Sequence, residues 1–329
     1  MKLWLLTNPP PVSEDTAYLI GRVLSYCRRI EVTAVGERDE STPEPPQCID
    51  GILNRSFNVS AHFLLGLDAL GAQLGIPVIN PGRATFLACD KRLYPQMYPG
   101  LVPDTRIVSN LAEIAALWRE CGRPLVLKGP FGKRGEEVIL YRGEEDAKPA
   151  AALLAKAPEG GIVAQEFCEG FREGDARVIL HRRRDGGFEI AAWFRRMPPP
   201  GGWKSNVSAG GRIRRDELAE DEKELALEVA ARAGLDYIGV DLGRHEGRCL
   251  LIETNAYTGG QIDFDIGRRD ASSGDDFARL VAWLCREGRS AGVSADCQPD
   301  SRFEAVCHGI SRWQVPRAAP RAPCDRAPH

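Results

Sequence analysis

The sequence of 329 residues lacks the long apolar runs that would place it in a membrane. No stretch approaches the roughly 18 uninterrupted apolar residues of a membrane span. The apolar run Leu3 to Leu6 is too short for a signal peptide, and Asn8 with the prolines after it interrupts the run. The sequence therefore predicts a cytoplasmic protein, and we interpret the N-terminal run as a first strand.

An excess of charge of one sign is also missing. The chain has 43 Lys and Arg against 46 Asp and Glu, a net charge of −3, and no polybasic run. This balance excludes the basic surface that binds nucleic acid or an anionic membrane. A hydrophobic content of 43% is enough for a core of normal size, and the length allows about two domains.

Paired cysteine motifs are absent as well. The ten cysteines are scattered, and no two of them form a CxxC pair. The sequence favours reduced thiols that pack as small apolar side chains, with a zinc or disulfide role as the alternative.

The patterns that are present divide the chain into three segments and a tail. Residues 1–85 predict a small α/β unit of the Rossmann type, and residues 86–168 predict strands with a helix. Residues 169–290 predict a segment that opens with a hairpin. Residues 291–329 are rich in Pro, Arg and Ala, and we expect them to form a disordered tail.

Local signals predict individual elements within these segments. Apolar spacing predicts helices over 15–29 and 60–74 and strands over 124–128 and 162–167. The turn residues Asp185-Gly186-Gly187 predict the hairpin of the third segment.

Two late strands predict a site made of oxygen ligands. Glu253 and Asn255 are two residues apart, so they project from one face of a strand. Asp241 lies on the preceding strand, and the short connection 243–247 predicts a hairpin that brings the three together. Two carboxylates and an amide oxygen suit Mg²⁺ that also holds phosphates. The alternative is a set of exposed polar positions on a half-buried sheet.

A cationic turn follows the apolar strand that ends at Lys128. Residues 129–135 combine glycines with Lys133 and Arg134, and backbone amides in such a turn suit phosphate oxygens. The turn is not a Walker A motif, because its spacing differs and no Ser or Thr follows Lys133. A solvated hairpin is the alternative.

Further along the chain, Arg177 and Arg196 lie on the two arms of the predicted hairpin of the third segment. They either face a common anion or are surface cations.

In this order along the chain, the motifs resemble the ATP-grasp superfamily, and within it the bacterial glutathione synthetases and the ligases that add glutamate to ribosomal protein S6. The resemblance implies a chain of the α/β class with the α+β ATP-grasp fold, in which a Rossmann-like N-terminal unit precedes two α+β subdomains that clasp ATP between them. The residues that carry the resemblance most closely are Asp241, Glu253, Asn255, Arg196, Asn206, Gly210 and Gly211.

The resemblance also implies a role for each matching residue. The hinge 165–167 would receive adenine, partly through its backbone, and Asp175 would contact the ribose. The residues implied to bind nucleotide are Lys91, Lys128, Gly132, Gly135, Gln165, Glu166, Phe167, Asp175 and Lys204. Those implied to stabilise the reacting groups are Arg177, Arg196 and Asn206. Those implied to hold one or two Mg²⁺, with Mn²⁺ able to substitute, are Asp241, Glu253 and Asn255.

The implied activity joins a small carboxylic acid to an amine through an acyl phosphate, with release of ADP and phosphate. Amino acids or small peptides are the expected substrates, nucleic acid is not expected as a partner, and homo-oligomerisation stays open.

Loops 129–135 and 199–205 are candidates for excluding water from the intermediate. The alternatives are an ATP-grasp phosphotransferase or carboxylase-type reaction that makes no amide, and a regulatory module without turnover. One departure is Lys204, where the relatives usually have an Arg with a bidentate fork.

Overall fold

The computed structural model describes residues 1–8, 19, 20, 22–24, 27–36, 39, 41–57, 59–132, 135–157, 159–258 and 273–287. Residues 15–18, 21, 25 and 26 of the helix predicted over 15–29, and the whole of the tail predicted over 291–329, lie outside these residues.

The N-terminal sheet contains four parallel strands in the order β2-β1-β3-β4. They are β1 (Lys2–Thr7), β2 (Arg29–Ala34), β3 (Gly51–Arg55) and β4 (Val78–Ile79). Helix α1 (Ala61–Leu74) connects β3 to β4, as the sequence predicts. Ser60 caps this helix by accepting a hydrogen bond from the Phe63 amide, and Gly75 ends it in the left-handed conformation with φ 66°.

A short helical passage leads from this sheet towards the next one. It consists of α2 (Gly82–Cys89), a 3-10 turn (Lys91–Leu93) and α3 (Tyr94–Met97). Lys91 therefore begins a turn that follows directly on a helix packed against the N-terminal unit.

The central sheet is antiparallel, with the order β5-β8-β6-β7. Its strands are β5 (Thr105–Val108), β6 (Leu125–Lys128), β7 (Val138–Tyr141) and β8 (Ile162–Glu166). Helices α4 (Leu111–Cys121) and α5 (Ala147–Lys156) cover one face through Ile114 and Leu153, which pack on Leu125 and Leu127. Because strand side chains alternate, Lys128 and Gln165 lie on the opposite face.

The third sheet is also antiparallel, with five strands in the order β11-β10-β9-β12-β13. Its strands are β9 (Asp175–Arg182), β10 (Phe188–Met197), β11 (Arg212–Arg214), β12 (Tyr237–His245) and β13 (Arg248–Asn255). Two helices pack against it, α6 (Glu220–Ala233) and α7 (Ser273–Glu287).

Both predicted hairpins of this sheet are present. The turn at Asp185 to Gly187 joins β9 to β10, and the Gly187 amide donates to Asp185 Oδ1 at 3.0 Å. The second turn is tighter than predicted, because β12 continues to His245 and only Glu246 and Gly247 remain between the strands. Both of these residues have positive φ, 49° and 75°, as a two-residue hairpin turn of the primed type requires.

The two faces of the third sheet have different coverings. Val178 and Leu180 face helix α6 in one core. On the other face, Ile179 and Phe194 join a core that includes α7 and the N-terminal strands, through side chains such as Leu5. Asp175 and Arg177 alternate in phase with Ile179, so they continue this second face beyond the core.

Six of the observed elements were not predicted from the sequence, among them the two short helices α2 and α3. The other four are β5, β11, α5 and α7. The boundaries proposed near residues 85, 168 and 290 stay a prediction, although each of the three sheets falls within one of the three proposed segments.

The described residues bear on two predictions, the absence of membrane-spanning helices and the state of the cysteines. None of the helices in the described ranges is long and apolar enough to cross a membrane. Six cysteines are free thiols, as expected: Cys27, Cys89, Cys121, Cys168, Cys249 and Cys285. Cys48 is disulfide-bonded, so the expectation of a reduced thiol is wrong at that position.

Candidate active site

The three predicted metal ligands meet on the β12–β13 hairpin. Asp241 pairs directly with Glu253 in the antiparallel register, and Asn255 pairs with Gly239. The Asn255 side-chain amide donates to Asp241 Oδ2 at 3.5 Å, which leaves the Asn255 amide oxygen as an acceptor. Two carboxylates and one amide oxygen form a donor set that fits a hard divalent cation such as Mg²⁺.

Asp241 is held by two arginines. Arg177 donates from Nε to Oδ1 and from Nη2 to Oδ2, both at 2.6 Å, and Arg196 Nη2 lies 2.8 Å from Oδ2. Burial by itself would raise the pKa of Asp241, but the two guanidinium groups outweigh burial and hold the pKa well below its usual range. The common anion of the two arginines is therefore this carboxylate.

Arg196 also binds Asp175, the residue implied to contact ribose. The guanidinium donates from Nε to Oδ1 at 2.6 Å and from Nη2 to Oδ2 at 2.9 Å. Burial raises the pKa of Asp175 despite this partner. Asp175, Arg196, Asp241 and Arg177 thus form a row of alternating charge across three neighbouring strands.

Lys91 connects the β12–β13 hairpin to the glycine-bearing turn 129–135, here called the glycine turn. Its Nζ lies 3.2 Å from Glu253 Oε1 and donates to the Gly132 carbonyl at 2.6 Å. Its backbone amide donates to the Pro130 carbonyl at 3.0 Å. The structure therefore places Lys91 and Gly132 beside Glu253, although they are far apart in sequence.

Lys128 lies on the inner face of the central sheet. Its Nζ donates to Gln165 Oε1 at 2.7 Å, and Gln165 Nε2 donates in turn to Thr105 Oγ1 at 2.8 Å. Burial lowers the pKa of Lys128 to about 8, with a further lowering from Lys91 and an opposing effect from Glu253. Thr105, which fixes the orientation of Gln165, was not a predicted site residue.

The side chains of the predicted hinge, residues 165–167, face different parts of the molecule. The Glu166 carboxylate turns away from Lys128 and pairs with Arg123 at 2.5 Å, so a nucleotide contact through Glu166 is left to its backbone. The Phe167 amide donates to the Pro124 carbonyl at 3.0 Å. The Phe167 ring meets the Trp203 ring edge to face, with centroids 5.8 Å apart.

The two candidate lid loops contact each other. Lys204 Nζ donates to the carbonyls of Gly135 and Val138, each at 2.8 Å, and burial lowers the pKa of Lys204. A Cβ at Gly135 would lie 2.9 Å from Asn206 Oδ1, and φ there is +74°, so a side chain is disfavoured. A single ammonium satisfies two carbonyls here, which requires no bidentate fork.

The sequence analysis missed the residues that support the end of β13. Tyr94 Oη accepts from the Thr254 amide at 3.0 Å, and Thr254 Oγ1 donates to the Ala88 carbonyl at 2.9 Å. Asn80, which was not among the predicted site residues, reaches with its side chain the segment that follows Asn255.

The site was compared with known families and structures. Residues 91–256 match the family model described as "Prokaryotic glutathione synthetase, ATP-grasp domain". The chain is 26% identical over 233 residues to a glutathione synthetase of Coxiella burnetii, an alignment that covers 67% of this chain and 70% of the relative. It is 29% identical over 187 residues to a probable alpha-L-glutamate ligase of Pasteurella multocida, covering 56% of this chain and 58% of the relative.

Solved structures with a similar fold cover most of the chain. A D-cycloserine synthetase superposes with a TM-score of 0.62 at 20% identity, covering 87% of this chain and all of that one. A RimK domain ATP-grasp protein of Sphaerobacter thermophilus gives 0.59 at 18% identity, covering 85% and 98%. At these identities the likeness establishes the fold.

Proposed function

Because the chain belongs to the prokaryotic glutathione synthetase family of ATP-grasp domains, we propose that it is an ATP- and Mg²⁺-dependent carboxylate–amine ligase. The family and the α+β ATP-grasp fold predicted from the sequence are both confirmed, and the family implies the use of ATP with a divalent metal. The proposed substrates are a small carboxylic acid and an amine of the amino-acid or small-peptide class, like the glutathione and glutamate ligases among the relatives.

One observation carries the proposal: Asp241 and Glu253 face each other while Lys91, Arg177 and Arg196 are already bonded to them. The three cations lie close enough together to offset the negative charge of terminal phosphates, and the two carboxylates lie beside them. Asp241, Glu253 and Asn255 would hold Mg²⁺, which would neutralise phosphate charge and polarise the phosphoryl group that is transferred.

The other residues of the site orient ATP and the reacting acid. Lys128, with its lowered pKa of about 8, gains most from an anionic partner and is assigned to the phosphates. Gln165 fixes the Lys128 amine, while the backbone of Glu166 and Phe167 is assigned to adenine and Asp175 to the ribose. Gly132 and Gly135 are assigned to the phosphates through the backbone of their turn.

The reaction proceeds by transfer of the γ-phosphoryl group to a substrate carboxylate, followed by attack of the amine on the acyl carbon and departure of phosphate. Arg177 and Arg196 are assigned to the developing negative charge, and Asn206 is assigned to the reacting centre. Lys204 holds the loop 199–205 on the glycine turn, which excludes water from the acyl phosphate.

The test is an ADP-release screen over pairs of amino acids and dipeptides, with mass spectrometry of the products. Once an acid that stimulates ADP release is found, hydroxylamine in place of the amine should trap the acyl phosphate as a hydroxamate. An acid that gives AMP, or ADP without amide or hydroxamate, would contradict the ligase. The second outcome would instead support a phosphotransferase, and no release with any acid would support a regulatory module.

A further inference from the structure

The backbone after the β12–β13 hairpin is fastened by buried side chains from the N-terminal unit. Asn80 is 7% exposed and follows β4. Its Nδ2 donates to the carbonyls of Tyr237 and Ala256, both at 2.8 Å, and its Oδ1 accepts from the amides of Asp236 and Tyr237 at 2.8 and 2.9 Å. Two donors and two accepted bonds use the full ordinary capacity of the amide.

Arg55 fastens the next two residues. It ends β3, is 3% exposed, and donates from Nη2 to the Tyr257 carbonyl and from Nη1 to the Thr258 carbonyl, each at 3.3 Å. The neighbouring Asn54 donates to Tyr257 Oη at 3.4 Å, and the Phe57 ring meets the Tyr257 ring edge to face at 5.1 Å.

Three successive carbonyls, those of residues 256 to 258, are thus bonded to side chains that lie about 175 to 205 positions earlier in the chain. On the other side of Asn255, Tyr94 holds the Thr254 amide at 3.0 Å. The backbone on both sides of Asn255 is therefore held by side chains, while Asn255 itself pairs with Gly239 in the sheet.

We propose that Asn80 and Arg55 are positioning residues that hold the backbone after Asn255 and so fix the divalent-metal site. This inference rests on the metal role in the proposed function. Metal ligands must be held to within about 0.5 Å of their working geometry. Loss of the hydrogen bonds that orient a ligand typically costs about 10- to 100-fold in metal affinity.

The equilibrium test measures Mn²⁺ binding by electron paramagnetic resonance in the presence of ADP, without turnover. We expect Asn80→Ala to weaken Mn²⁺ binding about tenfold. The matched control is Asn110→Ala, which removes an Asn that caps α4 by accepting from the Glu113 amide at 3.0 Å. The control should lower the melting temperature by a few degrees and leave Mn²⁺ binding unchanged.

A second variant covers the case in which Asn80→Ala does not fold. Arg55→Met removes both donors to the Tyr257 and Thr258 carbonyls, so it should also weaken Mn²⁺ binding. Unchanged Mn²⁺ affinity in a folded Asn80→Ala or Arg55→Met variant would overturn the proposal. If the wild-type protein itself binds no Mn²⁺ with ADP, the metal role in the proposed function fails instead.

A measurement on the wild-type protein needs no variant at all. Coupling between two sites is reciprocal, so Mg²⁺ with ADP should stabilise the Asn80 contacts if those contacts stabilise the metal site. The amides of Asp236 and Tyr237, which donate to Asn80, should therefore exchange hydrogen more slowly after Mg²⁺ is added to the ADP complex. Unchanged exchange at both amides would overturn the proposal, with the Glu113 amide as the internal reference.

Discussion

Two buried cations on opposite sides of the site are balanced in different ways. Lys128 on β6 donates to the neutral amide of Gln165, and burial lowers its pKa to about 8. Arg196 on β10 is bonded to both Asp175 and Asp241. Burial acts against its charge too, but these two carboxylates outweigh burial and raise the pKa of Arg196 further above its ordinary value.

The difference separates two halves of the site. The preorganised half consists of the charged groups on β9, β10, β12 and β13, and the responsive half consists of Lys128 and the glycine turn. The charge of Arg196 is compensated before any ligand arrives, so its geometry is fixed in advance and costs little reorganisation during the reaction. Lys128 lacks a carboxylate at hydrogen-bond distance among the bonds described, so an arriving phosphate would supply the anion that its buried ammonium favours.

The largest expected effect comes from removing a carboxylate of the preorganised half. Asp241→Asn and Glu253→Gln should each lower ADP release by about 10³-fold or more, because each removes a charged metal ligand. Their stabilities should differ. Asp241 has a side chain only 3% exposed and two guanidinium partners, so its loss should cost about 3–5 kcal/mol.

Glu253, with 23% of its side chain exposed and one partner at 3.2 Å, should cost less than about 1 kcal/mol. Urea denaturation of both variants checks the pair. Equal losses of stability would contradict the idea that the arginines depend on Asp241 rather than on Glu253.

Lys128→Met should lower ADP release by about 10²- to 10³-fold and yet stabilise the protein at pH 7. The folded-state pKa of Lys128 is depressed from 10.5 to about 8, so the unfolded chain binds more protons between these values. Protonation of Lys128 therefore costs the folded state on the order of 3 kcal/mol at pH 7. The wild-type protein should become more stable as pH rises from 8 to 10, and Lys128→Met should lose this rise.

Arg196→Met is the contrasting variant, since it should lose both activity and stability by leaving Asp175 and Asp241 buried without their common partner. Thermal melting of both variants at pH 7 and pH 9.5 gives the comparison. A destabilised Lys128→Met at pH 7 would show that its bond to Gln165 outweighs the cost of burial.

The affinity for ATP should also depend on pH through Lys128. Phosphate favours the protonated amine, so binding raises its pKa, and above pH 8 the free enzyme must take up a proton to bind. The dissociation constant should rise by up to about tenfold per pH unit above pH 8 and be nearly flat between pH 6.5 and 7.5. Isothermal titration calorimetry in buffers of different ionisation enthalpy would detect the proton, and Lys128→Arg should abolish its uptake.

Local patterns were sufficient for the preorganised half of the site. Alternation placed Glu253 and Asn255 on one face, and a short connection brought Asp241 beside them. Both signals involve residues within about fifteen positions of one another, where strand geometry decides the outcome. The partners of those residues could not be read in the same way, because Arg177 meets Asp241 only through the pairing of β9 with β12.

The elements and contacts that were not predicted either have weak sequence patterns or have patterns that entered no prediction. Helix α7 carries Phe277, Leu280, Val281 and Leu284 at helical spacing, a pattern the sequence does contain. Asn80 offers no local signal of its role, since its four hydrogen bonds join it to three residues that lie more than 150 positions away. Such contacts depend on how whole sheets pack, which periodicity does not specify.

The smallest expected effect concerns the contact between the two loops, which extends the responsive half. Lys204 donates to the carbonyls of Gly135 in the glycine turn and of Val138 at the start of β7, and it lies over the Trp203 ring at 5.3 Å. A net stabilisation of about 1 kcal/mol corresponds to roughly a fivefold change in the open population. Lys204→Met should therefore increase cleavage by subtilisin within 199–205 by about fivefold, since cleavage follows the open population when reclosing is fast.

Mg²⁺ with ATP should slow cleavage in the wild-type protein, because phosphates would order the same turn, and should slow it less in the variant. The β9–β10 turn at 183–187 serves as the reference, and its cleavage should not change with nucleotide. Equal cleavage of 199–205 with and without Mg²⁺–ATP would mean that this loop does not act as a lid, and that the responsive half of the site is limited to Lys128 and the glycine turn.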